Sequence, residues 1–414
     1  MRLTIDKSEL ASAVSLAGNS VSVNDVGHRN FKYAKLSCQD HSFVVETSNG
    51  DLWTEIDLYL KEPQAPWRSM IPHAQLQGVI SNLDDGAIDL MAEDDVLKLS
   101  QGGYNAQLQI RDATDFQSAP SAIPCQPYSG EADSPGRGIP QKPTWSPGRP
   151  LSVILKAVVS SVSTLPDRPY LTGVHLSVWG GKLTAVAANG GRIAIGTFPL
   201  GNSEESARKG ALLPPALASH IAKMADMDEV NLWFASRYVR AEAPGVAITG
   251  LLIDAIFPPW RRAIPDEFIG STVRVDRQRL IRALNRVNGV ADKRSKTSLA
   301  VELSLRPGKL CLFAQRGGKD SAREAIDVEL IDGLSPGDPY AHDETFPVEL
   351  SYLIDAAKVT SGDLLDIQVS AIAEEKLSSG GFRNVPAVGL KNVIDCEEST
   401  PVIQHWIMAR GRNK

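Results

Sequence analysis

The sequence predicts an α+β protein made of three tandem copies of one repeat, each with two helices and antiparallel sheets. The order helix, strands, helix, strands occurs three times along the 414 residues. The strands come as hairpins, which a purely parallel βαβ sheet does not contain. The composition, 43% apolar and 22% charged, is that of an ordinary globular protein.

An amphipathic helix is predicted at the start of each repeat, over residues 4–18, 149–163 and 273–291. Apolar residues recur there at spacings of three and four, which places them on one side of a helix. The apolar stripes are Leu10, Val14 and Ala17; Leu151, Ile154, Leu155, Val158, Val159 and Val162; and Leu280, Ile281, Leu284 and Val287.

A strand hairpin is predicted after each first helix, within residues 35–46, 174–183 and 301–312. Apolar residues alternate along these strands, and Gly or Pro occupies the turns of the second and third hairpins. In the first hairpin the turn is expected just after Cys38. Further turns are predicted around Gly50, Gly190 and Gly318.

A second helix is predicted in each repeat, with a proline in its first turn, where the missing N–H of proline costs nothing. These prolines are Pro72, Pro214 and Pro347. An acidic turn and further strands follow each helix. The apolar stripes are Leu76, Val79, Ile80 and Leu83; Leu217, Ile221 and Met224; and Leu350, Leu353, Ile354 and Ala357.

The stretch at 119–148 is rich in Pro, Gly and Ser and has no hydrophobic period. Such a composition is typical of a linker or a surface insertion. We therefore expect three domains, at 1–118, 149–266 and 267–414, with this linker or insertion between the first two.

A cytoplasmic location is expected from the cysteines and from the apolar runs. The four cysteines are far apart and form no C-x-x-C pair, which is typical of reduced thiols and argues against a zinc knuckle. No apolar run approaches the roughly 20 residues of a membrane helix. The amino terminus lacks the apolar segment of a secretory signal.

Positive charge is concentrated at the start of the third repeat, although the net charge is −6. Eight basic residues lie between Arg274 and Lys296, opposed by two aspartates. Two interpretations stay open: a solvated helix face, or a surface that faces phosphates. For the second interpretation the DNA-facing residues would be Arg279, Arg282, Arg286 and Lys293, joined by Lys156 and Lys223; His73, His220 and Lys358 would add further positive charge on the second helices.

Catalytic motifs are missing from the sequence. It contains no G-x-x-x-x-G-K-[ST], H-E-x-x-H or G-x-S-x-G pattern, and its histidines never pair at i, i+4. The aspartate pairs at 84–85 and 94–95 fall at a helix end and a turn, where Asp is common for local reasons. We therefore expect no enzyme activity, no cofactor and no metal; a hydrolase using these aspartates is the least supported alternative.

Five motifs, in order, resemble the bacterial DNA polymerase III beta subunit family, the sliding clamps. ATDF at 113–116 resembles the end of that family's first domain. RPYLTG at 168–173 and ANGGRIA at 188–194 resemble its Arg-Tyr-Tyr-Leu-Asn-Gly and Thr-Asp-Gly-His-Arg-Leu-Ala. FPPWRRAIP at 257–265 and LSYLID at 350–355 resemble its Phe-Pro-Asp-Tyr-Arg-Arg-Val-Leu-Pro and Val-Ser-Tyr-Val-Leu-Asp.

The resemblance implies a fold of three clamp-type domains and a head-to-tail homodimer that forms a ring around duplex DNA without sequence specificity. DNA polymerase III subunits, the clamp loader and repair proteins would dock by short peptides in a groove between the second and third domains. Carried over to this chain, the groove residues are Arg168, Tyr170, Leu171, Ala188, Gly190, Arg192, Ile193, Pro258, Arg262, Ala263, Tyr352 and Met408, and the dimer-interface residues are Leu108 and Val290. Leu171, Ile193, Pro258, Ala263 and Met408 would form its apolar pocket.

The chain departs from the family pattern at its end, where WIMARGRNK replaces a Met-Pro-Met-Arg-Leu-like tail, and at Asn189 and Gly191. These departures keep a second interpretation open. In it the chain is a clamp-fold interaction module, of phage, plasmid or paralogous origin, that binds partner peptides without acting as the main replicative clamp.

Overall fold

The α+β class predicted from the sequence is confirmed. The computed structural model describes residues 1–22, 29–120, 144–146, 148–179, 181–200, 209–264, 270–291, 299–316, 320–333, 347–370, 374–376, 382–384, 386–393 and 400–408. In this part of the chain the helices are α1 (Lys7–Ala17), α2 (His73–Ser81), α3 (Gly148–Val159), α4 (Pro215–Ala225), α5 (Arg277–Val287) and α6 (Leu350–Val359). Strands separate the two helices of each pair, so the threefold order of elements is confirmed as well.

The strands belong to antiparallel sheets throughout the described residues. In chain order they are β1 (Arg2–Asp6), β2 (Tyr33–Ser48), β3 (Leu52–Pro72), β4 (Ala87–Glu93), β5 (Val96–Gln101), β6 (Tyr104–Gln109), β7 (Thr144–Ser146), β8 (Val174–Trp179), β9 (Lys182–Ala188), β10 (Arg192–Pro199), β11 (Lys209–Leu213), β12 (Val230–Phe234), β13 (Tyr238–Ala243), β14 (Val246–Leu251), β15 (Gly270–Asp276), β16 (Ala300–Arg306), β17 (Lys309–Arg316), β18 (Asp320–Asp327), β19 (Glu329–Asp332), β20 (Pro347–Glu349), β21 (Leu364–Ser370), β22 (Glu374–Lys376), β23 (Phe382–Asn384), β24 (Pro386–Asn392) and β25 (Val402–Met408).

Two large sheets each join strands that are distant in sequence. One has the order β2-β3-β14-β13-β12-β7 and the other the order β11-β8-β9-β10-β25-β24-β21-β15-β19. Two four-stranded sheets (β1-β4-β5-β6 and β18-β17-β16-β20) and the β22-β23 pair complete the description.

The chain divides into two compact units. The first compact unit is Met1–Arg149 with Ala216–Leu252, and the second is Pro150–Pro215 with Ile253–Lys414. Each contains one of the large sheets, and each sheet combines strands from two of the predicted domains: β3 pairs with β14, and β10 pairs with β25. The division cuts through the predicted second domain, and the three domain boundaries stay a prediction.

The apolar helix stripes face the hydrophobic cores, as predicted. In the first compact unit Leu10, Val14 and Leu76 pack in one cluster with the sheet residues. In the second, Leu280, Leu284, Leu353 and their neighbours do the same. Burial of one such leucine contributes about 1.5–3 kcal/mol relative to exposure.

The predicted helix starts were wrong by a few residues, because strands precede the helices. Residues 4–6 and 273–276 belong to β1 and β15. Asp6 and Asp276 cap α1 and α5: their carboxylates accept the backbone N–H of Ser8 at 2.8 Å and of Arg279 at 2.6 Å. An N-cap residue has extended backbone angles, so a strand can run directly into it.

The three prolines predicted in the first turns of the second helices lie before those helices instead. Pro72 is the residue before α2 and ends β3, and Pro347 begins β20, three residues before α6. Pro214 precedes Pro215, the first residue of α4. The residue before a proline favours extended backbone, which explains why α2 and α4 do not include that residue.

The turn expected after Cys38 is a bulge within one long strand. β2 runs through this position, with Asp40 at φ 52° and register shifts on both sides of it. The chain reverses instead at Gly50, where φ is 92°. An inserted residue in one strand of a pair bends the strand without ending it, which hydrophobic alternation does not distinguish from a turn.

Most of the predicted linker lies outside the described residues, which omit 121–143 and 147. Within it, β7 pairs with β12, so this part of 119–148 belongs to a sheet. Among the described residues, no helix combines the length and the apolar character that a membrane span requires.

Candidate functional site

The twelve predicted groove residues all belong to the second compact unit. The turn between β9 and β10 lies beside the end of β25, because the N–H of Met408 donates to the carbonyl of Gly191 at 2.9 Å. In this register Ile193 pairs with Trp406 of β25. The pairing thereby brings the end of the described chain to the strand that carries Arg192 and Ile193.

The turn itself is held by the side chain of Asn189. Its Oδ1 accepts the backbone N–H of Gly191 at 2.9 Å and of Arg192 at 3.0 Å. Gly190 has φ 90°, and a Cβ there would lie 3.3 Å from Nη1 of Arg168. The exposed guanidinium of Arg168 therefore covers a position that only glycine fills without strain.

Leu171 and Ile193 are 8% and 6% exposed and lie in one buried apolar cluster, which we call the floor. That this floor lines a peptide groove stays a prediction. Of the other predicted pocket residues, Pro258 and Met408 are half-buried and Ala263 is exposed. Sequence reasoning missed most of the floor. Its further buried members are Val186, Ile195, Leu212, Phe257 and Trp406, with Ala188, Ile253, Ala255, Trp260 and Ile264 packed against them.

Phe257 connects the segment after β14 to this floor. Its ring stacks on His175, with centroids 5.3 Å apart and planes at 7°. A 3-10 turn at Trp260–Ala263 follows, in which Arg261 lies over the Trp260 ring at 4.5 Å and Arg262 is exposed. Phe257 is the first residue of the FPPWRRAIP motif, so this motif could have predicted that Phe257 belongs to the buried cluster.

Arg192 is buried, at 8% exposure, and connects β10 to α6. Its Nη1 donates to Oδ2 of Asp355 at 3.0 Å, and its Nη2 donates to the carbonyl of Ser160. The guanidinium carbon lies 4.3 Å from the ring centroid of Tyr352. Its guanidinium is thus engaged within the protein, whereas Arg168 and Arg262 are exposed. Sequence reasoning missed Asp355 as a partner, although it ends the LSYLID motif.

His405 lies in β25, is 2% exposed and is close enough to Arg192 to be affected by its charge. Burial, reinforced by the charge of Arg192, lowers the pKa of His405 from 6.5 to about 3. The imidazole is therefore neutral at pH 7, and the buried positive charge here is that of Arg192.

The predicted two faces of α5 are confirmed. Arg279, Arg282 and Arg286 are exposed. Of the apolar stripe, Leu280, Leu284 and Val287 are buried and Ile281 is half-buried. Arg286 forms a bidentate ion pair with Glu324 of β18, and its Nε lies 3.1 Å from Oε2. Carboxylates therefore already offset part of the positive charge on this face.

The individual arginines differ in how far their charge is offset. Arg279 pairs with Asp327 of β18, which also pairs with Lys309. Within the described part of the chain, Arg282 makes no ion pair. Arg282 is thus the arginine of α5 whose charge is most available to a ligand.

The other predicted DNA-facing residues are on separate elements. Lys156 of α3 and Lys223 of α4 are exposed, and Lys223 donates to Oδ1 of Asn19 at 2.6 Å. Lys293 lies outside the described residues.

The prediction that His73 and His220 add surface charge was wrong, because both are buried, at 4% and 1% exposure. His73 Nε2 lies 2.8 Å from the carbonyl of Val14, within hydrogen-bond distance. Burial, with a smaller effect of Lys223, lowers the pKa of His220 to about 4. A helical period indicates which residues share a side but does not give the charge of a histidine.

Leu108 lies in an edge strand, and Val290 lies next to another. Leu108 is in β6, which ends its four-stranded sheet, and Val290 follows α5 in a 3-10 turn near β18, which ends another. Each is half-buried against the core of its own unit. On its outer side neither edge strand has a partner among the described strands.

Three comparisons agree on the relatives of this chain. Residues 147–259 match the family model "DNA polymerase III beta subunit, central domain". The beta sliding clamp of Synechocystis sp. is 24% identical over 89% of this chain and 93% of its own length. That of Caulobacter vibrioides is also 24% identical, over 80% and 85%.

The solved structures extend the likeness to nearly the whole fold. The DNA polymerase III subunit beta of Pseudomonas aeruginosa superimposes with a TM-score of 0.78 at 18% identity, covering 99% of this chain and 100% of that one. The Thermotoga maritima beta subunit gives 0.78 at 17% identity, covering 99% of both chains. The chain is thus similar to bacterial beta sliding clamps over nearly its whole length, at low sequence identity.

The family match falls where the sequence motifs are densest. The span 147–259 contains the RPYLTG and ANGGRIA motifs, which include the predicted groove residues Arg168, Leu171 and Arg192. Among the described residues, no group of three or more His, Cys, Asp or Glu side chains could hold a metal ion.

Proposed function

We propose that this protein is a sliding clamp and processivity factor: a head-to-tail homodimer that encircles duplex DNA and tethers DNA polymerase III and other replication or repair proteins. The observation that carries the proposal is an exposed row of arginines on α5 within a sliding-clamp fold. The protein would act in the cytoplasm, with no catalytic activity of its own.

The two different edge strands, β6 and β18, support a head-to-tail assembly. They belong to different compact units, so β6 of one copy would meet β18 of the next. Such a heterologous contact closes only if the rotation between copies divides a full turn. Leu108 and Val290 would lie at this contact.

Topological retention explains why few DNA contacts would suffice. A closed ring stays on DNA without tight binding, so a small number of mobile arginine contacts to phosphate permits sliding and carries no base readout. Partial neutralisation of Arg279 and Arg286 by β18 carboxylates is consistent with such weak contacts.

Loading onto circular and linear DNA tests the ring directly. Loaded protein is expected to stay on nicked circles and to leave linear DNA through its ends. Size-exclusion chromatography with light scattering should give twice the chain mass of 44.6 kDa. A monomer in solution, or equal release from both DNA forms, would contradict the proposal.

Reversing the charge of Arg282 should shorten residence on DNA more than an equal change elsewhere, because its guanidinium is exposed on the α5 face. Arg282→Glu is expected to remove about one phosphate contact. The slope of log binding constant against log salt concentration should therefore decrease by about one. Residence time on nicked circles at several salt concentrations measures this effect. Arg306→Glu, at an exposed end of β16, is the matched control and should have little effect.

The groove is proposed to bind the hydrophobic anchor of a partner peptide above Leu171 and Ile193. Tyr170, 38% exposed, would form part of the rim. Tyr170→Ala should weaken binding about tenfold, since a partly buried aromatic contact contributes about 1–2 kcal/mol. Fluorescence anisotropy with labelled peptides from the polymerase III subunits of the same genome measures the affinity. Tyr59→Ala, in the first compact unit, is the control and should leave it unchanged.

The ion pairs of Arg279 and Arg286 also favour a second candidate, a clamp-fold module that binds peptides but is not loaded on DNA. In that case replacing all three α5 arginines by glutamate would leave peptide binding and cellular function intact. Loss of DNA residence together with loss of function would reject this candidate.

A further inference from the structure

A hollow of about 700 Å³ lies along β2 and β3 in the first compact unit. This volume is in the range of ligand sites, about 300–1,000 Å³. None of its residues is among the predicted DNA-facing, groove or interface residues. It is lined by Lys35, Ser37, Cys38, Gln39, Ser42, Val44, Pro66, Trp67 and Arg68.

The lining residues of β2 lie on both sides of the bulge at Asp40. Ser37 and Gln39 lie on the outward face before Asp40, and the register shift returns Ser42 and Val44 to the same face after it. Arg68 of β3 is directly opposite Ser37 in the pairing. The outward side chains thus form a row along one strand, which suits an extended ligand rather than a compact one.

The charge of the lining is positive. Its charged members are Lys35 and Arg68. Lys35 pairs with Glu46, whereas Arg68 is exposed and makes no ion pair within the described residues. The pKa of Asp112 is lowered mainly by hydrogen bonds from Thr114. The positive charge of Arg68 lowers it further, so Arg68 also interacts with this carboxylate. An anionic group is therefore the complementary ligand at the Arg68 end.

The chain itself already places a peptide on this sheet face. The segment after β6 crosses it: Lys35 Nζ lies 5.6 Å from the ring centroid of Phe116 and 3.3 Å from Oγ of Ser118. The indole N–H of Trp53 donates to the carbonyl of Gln117 at 3.1 Å. An aromatic side chain next to a cation, and backbone carbonyls facing the sheet, are thus compatible with this surface.

We propose that the hollow binds an extended acidic peptide of a partner protein. A carboxylate of the peptide pairs with Arg68, and its neighbouring aromatic side chain packs on Trp67 and Val44. Ser37 and Gln39 supply hydroxyl and amide groups for its backbone. This surface would give the protein a second docking site, independent of the groove at Leu171 and Ile193.

The test uses the full-length protein and a fluorescein-labelled hexapeptide in which glutamate and phenylalanine alternate. Its control replaces every glutamate by lysine. Fluorescence anisotropy at low salt is expected to show binding of the acidic peptide only. Binding should weaken at least fivefold in 0.5 M salt, because exposed charges are then screened.

Variants locate the binding site. Arg68→Glu should weaken binding about tenfold, and Ser37→Trp should abolish it by filling the hollow without changing the charge. Arg2→Glu, an exposed reversal on β1, is the matched control and should leave the affinity unchanged. Circular dichroism confirms that each variant is folded.

Three outcomes would overturn the proposal: no binding of the acidic peptide, equal binding of the lysine peptide, or equal loss in Arg2→Glu. If Ser37→Trp does not fold, Ser42→Trp provides the same steric test from the other end of the hollow. Tyr170→Ala should leave this binding intact, which separates the hollow from the groove.

Discussion

Lowering the pH from 7 to 5 is expected to remove about 4 kcal/mol of unfolding free energy, because two histidines are buried in the neutral form. The pKa of His220 is about 4 and that of His405 about 3, against an ordinary value of 6.5. The unfolded chain takes up both protons below about pH 6.5, whereas the folded chain does not. Stability is therefore lost as the pH falls through this window, by about 2 kcal/mol per histidine at pH 5.

Urea unfolding at pH 7, 6 and 5 measures this loss. His220 belongs to the first compact unit and His405 to the second, so His220→Asn and His405→Asn should each remove about half of the pH dependence. An unchanged unfolding midpoint between pH 7 and 5 would show that both histidines titrate normally. Glu55 acts in the opposite direction, since burial raises its pKa and its protonation at low pH favours the folded state.

Replacing Arg192 by methionine is expected to cost about 3 kcal/mol, because the carbonyl of Ser160 and the carboxylate of Asp355 lose their charged donor. Asp355 is 43% exposed, so water compensates part of the loss. Arg192→Lys should recover little, since one ammonium group cannot reproduce a planar guanidinium that contacts two acceptors and a tyrosine ring. Urea unfolding compared with the unsubstituted protein measures the cost.

The matched control is Arg262→Met, because that guanidinium is exposed and its loss should change stability by less than about 0.5 kcal/mol. Arg192→Met should also raise the pKa of His405, since the charge of Arg192 contributes to lowering it. Equal stabilities of the two methionine variants would show that the Arg192 contacts contribute nothing to the fold.

The predicted groove residues illustrate how far sequence motifs can predict the position of side chains. RPYLTG and ANGGRIA predicted that Leu171 and Ile193 lie together in a peptide groove. Both residues belong to one buried cluster, and the groove itself stays a prediction. The motifs did not predict that Arg192 is buried against α6, because its partners Ser160 and Asp355 are 32 and 163 residues away in sequence. A motif preserves residue identity but does not give the direction in which a long side chain extends.

The arginine face of α5 shows the same limit. The helical period correctly predicted that Arg279, Arg282 and Arg286 are exposed opposite a buried stripe. It could not predict that Glu324 and Asp327 lie beside two of them, because β18 reaches this helix only through tertiary packing. The available charge is therefore smaller than the sequence count indicates.

By itself, the sequence determined the α+β class, the threefold order of helices and strands, the buried side of each helix and the family resemblance. These follow from local periodicity and from short motifs, which depend only on neighbouring residues. Only the tertiary structure decided that β3 pairs with β14 and β10 with β25, that the turn near Cys38 is a bulge, and that His73 and His220 are buried. Strand pairing and burial depend on contacts between residues far apart in the chain, for which a single sequence contains no local signal.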